Sequence, residues 1–241
     1  MKKKKYIINY TDSKPNKLRL CHCGDLHGFH SKLYGRFSCI VLSGDWFENS
    51  KTVGNGNKTQ EMVFQLNWLN NNINNIKQWT QGLPLFFILG NHDFLHPDLV
   101  EQTLRKQGID ATSLHEKIII HKEYNFYGFP YVPSMGTMWN YERSIPEMEV
   151  EVDKLVKALN KTHVDVLVMH SPLYGVLDLN FGNENIGSSV ILNALLYKVK
   201  PTMLPRYVLI SHCHENAGIA IKNNMLISNA ATIQTIIEIS P

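Results

Sequence analysis

GDLHG, at residues 24–28, follows a short apolar segment and offers a carboxylate, Asp25, and an imidazole, His27, with a single residue between them. Four further motifs downstream carry the same kinds of side chain. They are GDW at residues 44–46, GNHD at 90–93, MHSP at 169–172 and SHCHE at 211–215. Whether these five motifs meet depends on the strands and helices that present them.

Each motif follows a segment that predicts a β-strand. Residues 17–23 alternate apolar and polar side chains and then stop at Gly24, which is typical of a strand that runs into a loop. Residues 38–43 form a continuous apolar run, typical of a strand covered on both faces. Further strands that precede motifs are predicted at residues 85–89, 164–169 and 207–210.

Helices alternate with these strands. Residues 59–79 carry apolar side chains at three- and four-residue spacing, which predicts an amphipathic helix. Further helices are predicted at residues 97–107, at 146–160 and from Ser188 or Ser189 to about residue 198. This alternation is typical of an α/β fold in which helices cover the faces of sheets.

Two groups of shorter strands complete the predicted fold. Residues 117–121 and 124–128 predict two short strands joined by a tight turn. Residues 218–221, 225–228 and 232–239 predict an antiparallel meander, with Asn223 and Asn224 as the first hairpin turn.

The composition is that of an ordinary globular protein. With 241 residues, of which 44% are hydrophobic and 19% charged, we expect one domain over residues 1–241 with a sizeable core. The net charge of +3 includes the lysines at residues 2–5, and residues 1–10 are expected to form a mobile basic tail or an edge strand. The remainder is close to neutral, which argues against a nucleic acid or a membrane as partner. No protein partner is indicated.

The location predicted from the sequence is the cytoplasm. No apolar segment reaches the ~20 residues of a transmembrane helix, and residues 1–10 lack the apolar region of a secretory signal. The four cysteines fit neither a disulfide framework nor the paired cysteines of a zinc site, and we expect buried free thiols. They are Cys21, Cys23, Cys39 and Cys213.

The five motifs together predict a dinuclear metal site. In open α/β sheets, the loops that leave neighbouring strands converge at the carboxyl ends of the strands. The donors collected there are Asp25, His27, Asp45, Asn91, His170, His212 and His214. Oxygen and imidazole donors without thiolate suit transition metals better than magnesium or calcium. We expect two divalent or trivalent metals, manganese first, with iron, zinc, cobalt or nickel as alternatives.

Such a site is suited to the hydrolysis of phosphoesters. Asp45 can bridge two cations, and two cations ~4 Å apart can polarise a phosphoryl oxygen and hold a hydroxide for in-line attack. His92 is interpreted as facing the substrate, where it protonates the leaving oxygen. Asp93, its neighbour, is interpreted as the group that holds the His92 ring in the required tautomer.

The five motifs, in this order, resemble the signature of the calcineurin-like metallophosphoesterases over residues 20–215. The resemblance implies a four-layer α/β/β/α sandwich of two mixed sheets flanked by helices, with the metals at the carboxyl ends of the strands. It implies that one metal is held by Asp25, His27, Asp45 and His214, and the other by Asp45, Asn91, His170 and His212. It also assigns His92 as the proton donor.

Within that family, three segments look most like the branch that contains the vertebrate brain metallophosphoesterase-domain proteins. They are NFYGFP at residues 125–130, VLVMHSPLYGVLD at 166–178 and SHCHENAG at 211–218. Some members of this branch open cyclic nucleotides. The sequence departs from the usual pattern at Ser211, where glycine is usual, and at Gly24, where many relatives have serine. Neither departure removes a predicted metal ligand.

The resemblance leaves several functions to compare. The Ser/Thr protein phosphatases of the superfamily carry an arginine shortly after the second aspartate, and this sequence has none there. We therefore expect a phosphodiesterase that acts on a small or cyclic-nucleotide-like substrate. A phosphomonoesterase, a nuclease and a catalytically silent metal-binding scaffold are the alternatives. Trp46 and Phe47 are candidates to stack on a nucleobase, or else to fill the core beneath the loop.

Overall fold

The computed structural model describes residues 5–11, 17–53, 56–136 and 139–240. Two six-stranded mixed sheets pack face to face, and helices cover both outer faces. This is the predicted four-layer α/β/β/α sandwich. Strand β1, Lys5–Thr11, lies at the edge of the first sheet, and residues 1–4 of the predicted tail or edge strand lie outside the described residues.

The first sheet contains most of the amino-terminal strands and one strand from the far end of the sequence. Its order is β1, β14 (Gln234–Ser240), β2 (Leu18–Cys23), β3 (Cys39–Ser43), β4 (Leu85–Ile88) and β5 (Ala111–Ser113). Neighbouring strands are parallel except for the antiparallel pair of β14 and β2. Its crossover helices are α1 (Lys58–Thr80) and α2 (Pro97–Lys106).

The second sheet is parallel at its centre and antiparallel at both edges. Its order is β12 (Gly218–Lys222), β13 (Met225–Asn229), β11 (Tyr207–Ile210), β10 (Val166–Met169), β7 (Tyr124–Phe129) and β6 (Ile118–His121). Its helices are α3 (Ile145–Lys161) and α4 (Ser189–Tyr197). A small separate ribbon pairs β8 (Val132–Pro133) with β9 (Glu142–Arg143).

Three apolar cores separate the four layers. Side chains alternate along each strand, so that in β2 Leu18 and Leu20 enter the core between the sheets while Cys21 and Cys23 face α1 and α2. Strands buried on both faces have no polar face, which explains the continuous apolar runs in the sequence.

The predicted helices are confirmed to within a few residues. The helix expected at residues 59–79 extends over Lys58–Thr80, and its first turn is capped by Asn57, whose side chain accepts from the backbone of Gln60. Of the two serines considered as the cap of α4, Ser188 is the one whose hydroxyl accepts from Ile191. No helix among the described residues combines the length and the apolar character that crossing a membrane requires.

The predicted antiparallel meander is wrong in its last strand. The turn at Asn223 and Asn224, with φ of 48° and 61°, joins β12 to β13 as expected. Strand β14, however, leaves for the first sheet, where it lies between β1 and β2. The physical reason is that β13 already pairs with β12 on one side and β11 on the other, and therefore has no free edge.

Candidate metal centre

The structure brings the five motifs together where strands of both sheets end. The first three motifs follow β2, β3 and β4, and the last two follow β10 and β11. Contacts join the two sheets at this edge: Asp25 accepts from the backbone N–H of His212 through Oδ2 at 2.8 Å, and its Oδ1 lies 3.0 Å from Nε2 of His214. Motifs almost two hundred residues apart are thus within hydrogen-bonding distance.

Asp25, His27 and His214 form one candidate metal-binding group, in which the possible ligand atoms lie within 4.8 Å of one another. Asp25 is 3% exposed, while the side chains of His27 and His214 are 33% and 42% exposed. This group is therefore accessible from the solvent on its histidine side.

Asp45, His170 and His212 form a second candidate group within the same distance limit. Oδ2 of Asp45 lies 3.3 Å from Nε2 of His170 and 3.9 Å from Nε2 of His27. Asp45 therefore lies between the two groups. Oδ1 of Asn91 is 3.0 Å from the same His170 nitrogen, so Asn91 adds an amide oxygen to the second group.

The loops that carry these residues have an uncommon backbone conformation. Asp25, His27, Asp45 and His212 have φ of 51°, 43°, 51° and 71°. Positive φ is uncommon outside glycine, although Asp, Asn and His tolerate it best. The first two loops are held together by backbone hydrogen bonds of 3.0 Å from Asp25 to Gly44 and from His27 to Asp45. Such clustering of uncommon conformations is characteristic of functional sites.

The electrostatics of the second group fit a cation. Burial raises the pKa of Asp45, but the charge and hydrogen bond of His170, together with the charges of His92 and His27, outweigh burial and hold that pKa well below its usual range. Burial lowers the pKa of His170, whereas Asp45 and Asp25 raise it, and the balance lies at about 9. Buried carboxylates thus keep a proton on His170 in the metal-free protein, and a cation could replace that positive charge.

Asn91 and Cys213 complete the test of whether the residues fit metals. Asn91 is fully buried, and its Nδ2 has no hydrogen-bond partner among the described residues, so its N–H groups remain available in the site. The thiol of Cys213 points away, towards the carbonyl of Leu179 at 3.2 Å. The donors are therefore oxygen and imidazole alone, as transition metals such as manganese, iron and zinc accept.

His92 is held by Asn49, a residue that the sequence did not single out. The amide nitrogen of Asn49 donates to the His92 carbonyl at 2.8 Å and to Glu61 at 3.2 Å, which leaves Oδ1 of Asn49 facing Nδ1 of His92 at 2.9 Å. Nδ1 of His92 must therefore carry a hydrogen, and Nε2 is the nitrogen available to a substrate. The backbone N–H of His92 donates to Oδ1 of Asp45 at 2.8 Å.

The role predicted for Asp93 is wrong. Its carboxylate accepts from the backbone N–H groups of Trp46, Phe47 and Gly90 at 2.8 to 3.1 Å, and it is fully buried. Burial and the charge of Asp45 raise the pKa of Asp93 to about 7, against the lowering effect of these hydrogen bonds. Asp93 therefore connects the loop of the GDW motif with that of the GNHD motif. Asn49, and not Asp93, orients the His92 ring.

Trp46 and Phe47 are inaccessible to a substrate, contrary to the stacking prediction. Both are 0% exposed, and their rings lie 5.3 Å apart in the core between the first sheet and its helices. The Trp46 indole donates to Nε2 of His30 at 2.8 Å, and burial lowers the pKa of His30 to about 4, so this histidine is a neutral acceptor. The alternative, that both aromatic residues fill the core, is the one the structure supports.

A Phe47→Ala substitution should therefore lower the free energy of unfolding by about 3–5 kcal/mol, because it leaves a cavity in a packed core. Denaturant-induced unfolding followed by tryptophan fluorescence measures this change. The matched control is Phe29→Ala, since Phe29 is 67% exposed and its loss should change stability little. A normal stability with a raised KM for Phe47→Ala would contradict the core assignment.

His22 and Ser43 are further residues near the site that the sequence did not identify. His22 is 0% exposed and lies 3.0 Å from the hydroxyl of Ser228 and 2.9 Å from that of Ser43. It joins the two sheets directly beneath the metal-binding groups. The sequence indicates this burial of His22 only through the alternation along β2, which places His22 on the same face as Leu18 and Leu20.

The model of the calcineurin-like phosphoesterase family matches residues 18–216, which include all five motifs. The chain belongs to this family, whose members are phosphoester hydrolases that use divalent metals. A search of curated proteins by sequence found no match.

One solved structure shows the same fold at low sequence identity, and two further structures align with most of the chain. One crystal structure aligns over 90% of this chain and 91% of its own length, with a TM-score of 0.60 and 12% identity. The NAD nucleotidase NadN of Haemophilus influenzae aligns over 95% of this chain and 48% of its own, with a TM-score of 0.46 and 11% identity. A 5'-nucleotidase precursor from Thermus thermophilus aligns over 92% and 48%, with a TM-score of 0.38 and 11% identity. This chain thus spans about half the length of these two nucleotidases.

Proposed function

We propose that this protein is a dinuclear metal-dependent phosphodiesterase that acts on a small phosphodiester, such as a cyclic nucleotide. The observation that carries the proposal is the position of Asp45, whose Oδ2 lies 3.3 Å from His170 and 3.9 Å from His27 while Oδ1 accepts from His92. One carboxylate thus connects both metal-binding groups and the proposed acid.

The proposed ligands are those implied by the family resemblance. One metal would be held by Asp25, His27, Asp45 and His214, and the other by Asp45, Asn91, His170 and His212. Manganese is the first candidate. When bound, two such cations would neutralise charge on a phosphoryl group and lower the pKa of a bound water, so that a nucleophile is available at neutral pH.

The residues around the metals would bind and protonate the substrate. The unpaired N–H group of Asn91 can donate to a phosphoryl oxygen. With Nδ1 of His92 bonded to Asn49, the doubly protonated ring can give the proton on Nε2 to the leaving oxygen. Burial lowers the pKa of His92, against the opposing charge of Asp45, so a proton on this ring is readily released.

The preference for a diester rests on two supports. The first is the resemblance of residues 125–130, 166–178 and 211–218 to the brain-protein branch, which remains a prediction. The second is the exposure of the first group on its histidine side. The side chains of His27 and His214 are 33% and 42% exposed, which leaves room for the two ester substituents of a diester. A cytoplasmic location also remains a prediction, supported by four cysteines that are all free and buried.

The experiment that tests the proposal compares bis(p-nitrophenyl) phosphate with p-nitrophenyl phosphate, each with the manganese-loaded protein. We expect a higher kcat/KM for the diester, and hydrolysis of cyclic adenosine monophosphate as a natural-type substrate. A preference for the monoester would indicate a phosphomonoesterase, and cleavage of single-stranded DNA but not of small diesters would indicate a nuclease. Bound metal without turnover of any of them would indicate a silent scaffold.

Asn49→Ala should lower kcat by about tenfold or more, because a mispositioned or wrongly protonated His92 loses part of what acid catalysis contributes. KM and manganese content should not change. Steady-state kinetics and metal analysis measure these quantities. Ser50→Ala is the matched control, since the Ser50 hydroxyl bonds to the same Glu61 at 2.6 Å without touching His92. Equal losses of kcat in the two variants would show that the loop, and not the hydrogen bond to His92, matters.

A further inference from the structure

Ser211, the residue before the first histidine of the last motif, lies directly behind His170. It is 0% exposed, and its hydroxyl donates to the carbonyl of Ser43 at 2.7 Å. The same hydroxyl oxygen is 3.0 Å from Nδ1 of His170, and this nitrogen is also 2.8 Å from the Ser43 carbonyl. Three groups that belong to three different strand ends thus meet at one point.

These contacts fix the ring of His170. A carbonyl oxygen can only accept, so Nδ1 of His170 must carry the hydrogen that faces Ser43. The hydroxyl hydrogen of Ser211 is used on the same carbonyl, so the Ser211 oxygen presents its lone pairs to Nδ1. The opposite nitrogen, Nε2, is then directed at Asp45 and Asn91. Outer partners of this kind orient a histidine that binds metal and set which nitrogen is available.

The room for the Ser211 side chain comes from Gly24. A Cβ atom placed on Gly24 would lie 2.5 Å from Cβ and 2.8 Å from Oγ of Ser211, and 2.7 Å from Oγ of Ser43. These distances are far below van der Waals contact. Gly24 is not among the glycines with positive φ, so its backbone does not require glycine and the restriction is one of space. Positions 24 and 211 therefore share a volume that holds one side chain.

We propose that Ser211 is a positioning residue for the second metal: its hydroxyl holds His170 with Nε2 towards Asp45, in a space that exists because residue 24 is glycine. Residues 24 and 211 are then linked, because the missing side chain in the first motif leaves room for the one in the last motif. This inference rests on the metal centre of the proposed function.

The test is calorimetric titration of manganese into metal-free protein. For Ser211→Ala we expect about tenfold weaker binding of one manganese ion, the lower end of the loss measured for outer partners of metal ligands, and unchanged binding of the other. Ser228→Ala is the matched control, because Ser228 is also a fully buried serine, bonded to His22 and not to His170. It should bind both ions as the parent protein does.

Two results would overturn the inference: equal manganese affinities for the parent protein and Ser211→Ala, or an equal weakening in Ser228→Ala. Fewer than two bound ions in the parent protein would instead overturn the proposed function, and with it the inference.

The shared volume is tested separately by thermal unfolding of metal-free variants. Gly24→Ser should lower Tm or prevent folding. The double variant Gly24→Ser with Ser211→Gly should recover part of the loss, because the overlap with Ser211 is removed while the close approach to Oγ of Ser43 remains. A double variant no more stable than Gly24→Ser alone would contradict the shared volume.

Discussion

Asp45→Asn should greatly weaken manganese binding and, with it, remove nearly all phosphoester hydrolysis. We expect the affinity for manganese to fall by at least about 100-fold. Loss of a residue that only supports a metal ligand costs up to about 100-fold, and loss of a shared ligand should cost more. The reason is that both carboxylate oxygens are engaged: Oδ1 accepts from His92, and Oδ2 faces His170 and His27. An amide has a single oxygen, which can either accept from the backbone N–H of His92 or face the two histidines, but cannot do both.

The measurement for Asp45→Asn is manganese titration together with kcat/KM for the diester. The control is Glu48→Gln, the same change of carboxylate to amide in the same loop, at a residue that is exposed to solvent. Folding should be checked by circular dichroism before metal is added. If Asp45→Asn bound two manganese ions as tightly as the parent protein, Asp45 could not be the shared ligand.

His92→Asn should produce the opposite pattern, a large loss of turnover with almost no loss of metal. We expect kcat to fall by about 10²–10⁴-fold, the usual contribution of a positioned general acid. The His92 side chain is bonded through Nδ1 to Asn49 and packs against Trp139, with ring centroids 3.8 Å apart. Asparagine preserves the backbone N–H that donates to Asp45, so the metal-binding groups should remain in place.

His96→Asn is the matched control for His92→Asn. The His96 side chain is 70% exposed and accepts from the backbone of Asp98 at the start of α2, so it should affect neither turnover nor metal. Parallel loss of metal and turnover in His92→Asn would make His92 a structural residue or a ligand. An unchanged kcat would exclude it as the proton donor.

The features that the sequence predicts well are those set by local patterns. Strands β2, β3, β4, β10 and β11 were predicted because buried parallel strands leave continuous or alternating apolar runs, and each ends where a polar motif begins. Helix α1 was predicted to within a residue at each end because its apolar spacing is long and regular. Since the carboxyl ends of such strands meet at one edge, the meeting of the motifs followed as well.

The features that the sequence does not predict depend on contacts between distant residues. Trp46 stands beside Asp45 in sequence, yet its backbone turns the indole into the core, and no local pattern records that turn. Asn49 belongs to none of the five motifs, and its amide takes a defined orientation only through contacts with Glu61 and His92. The overlap between Gly24 and Ser211 links two loops that a sequence pattern treats separately.

The position of β14 has a consequence for biosynthesis. This strand lies between β1 and β2, and the segment just before it contacts the first motif, since the backbone N–H of Thr232 donates to the Gly24 carbonyl at 3.0 Å. While residues 232–240 are still inside the ribosome, β1 has no strand to pair with among those described, and the nascent chain exposes an open edge at β2. The first sheet, and the loop that carries Asp25, can therefore reach their final form only after translation has passed β14.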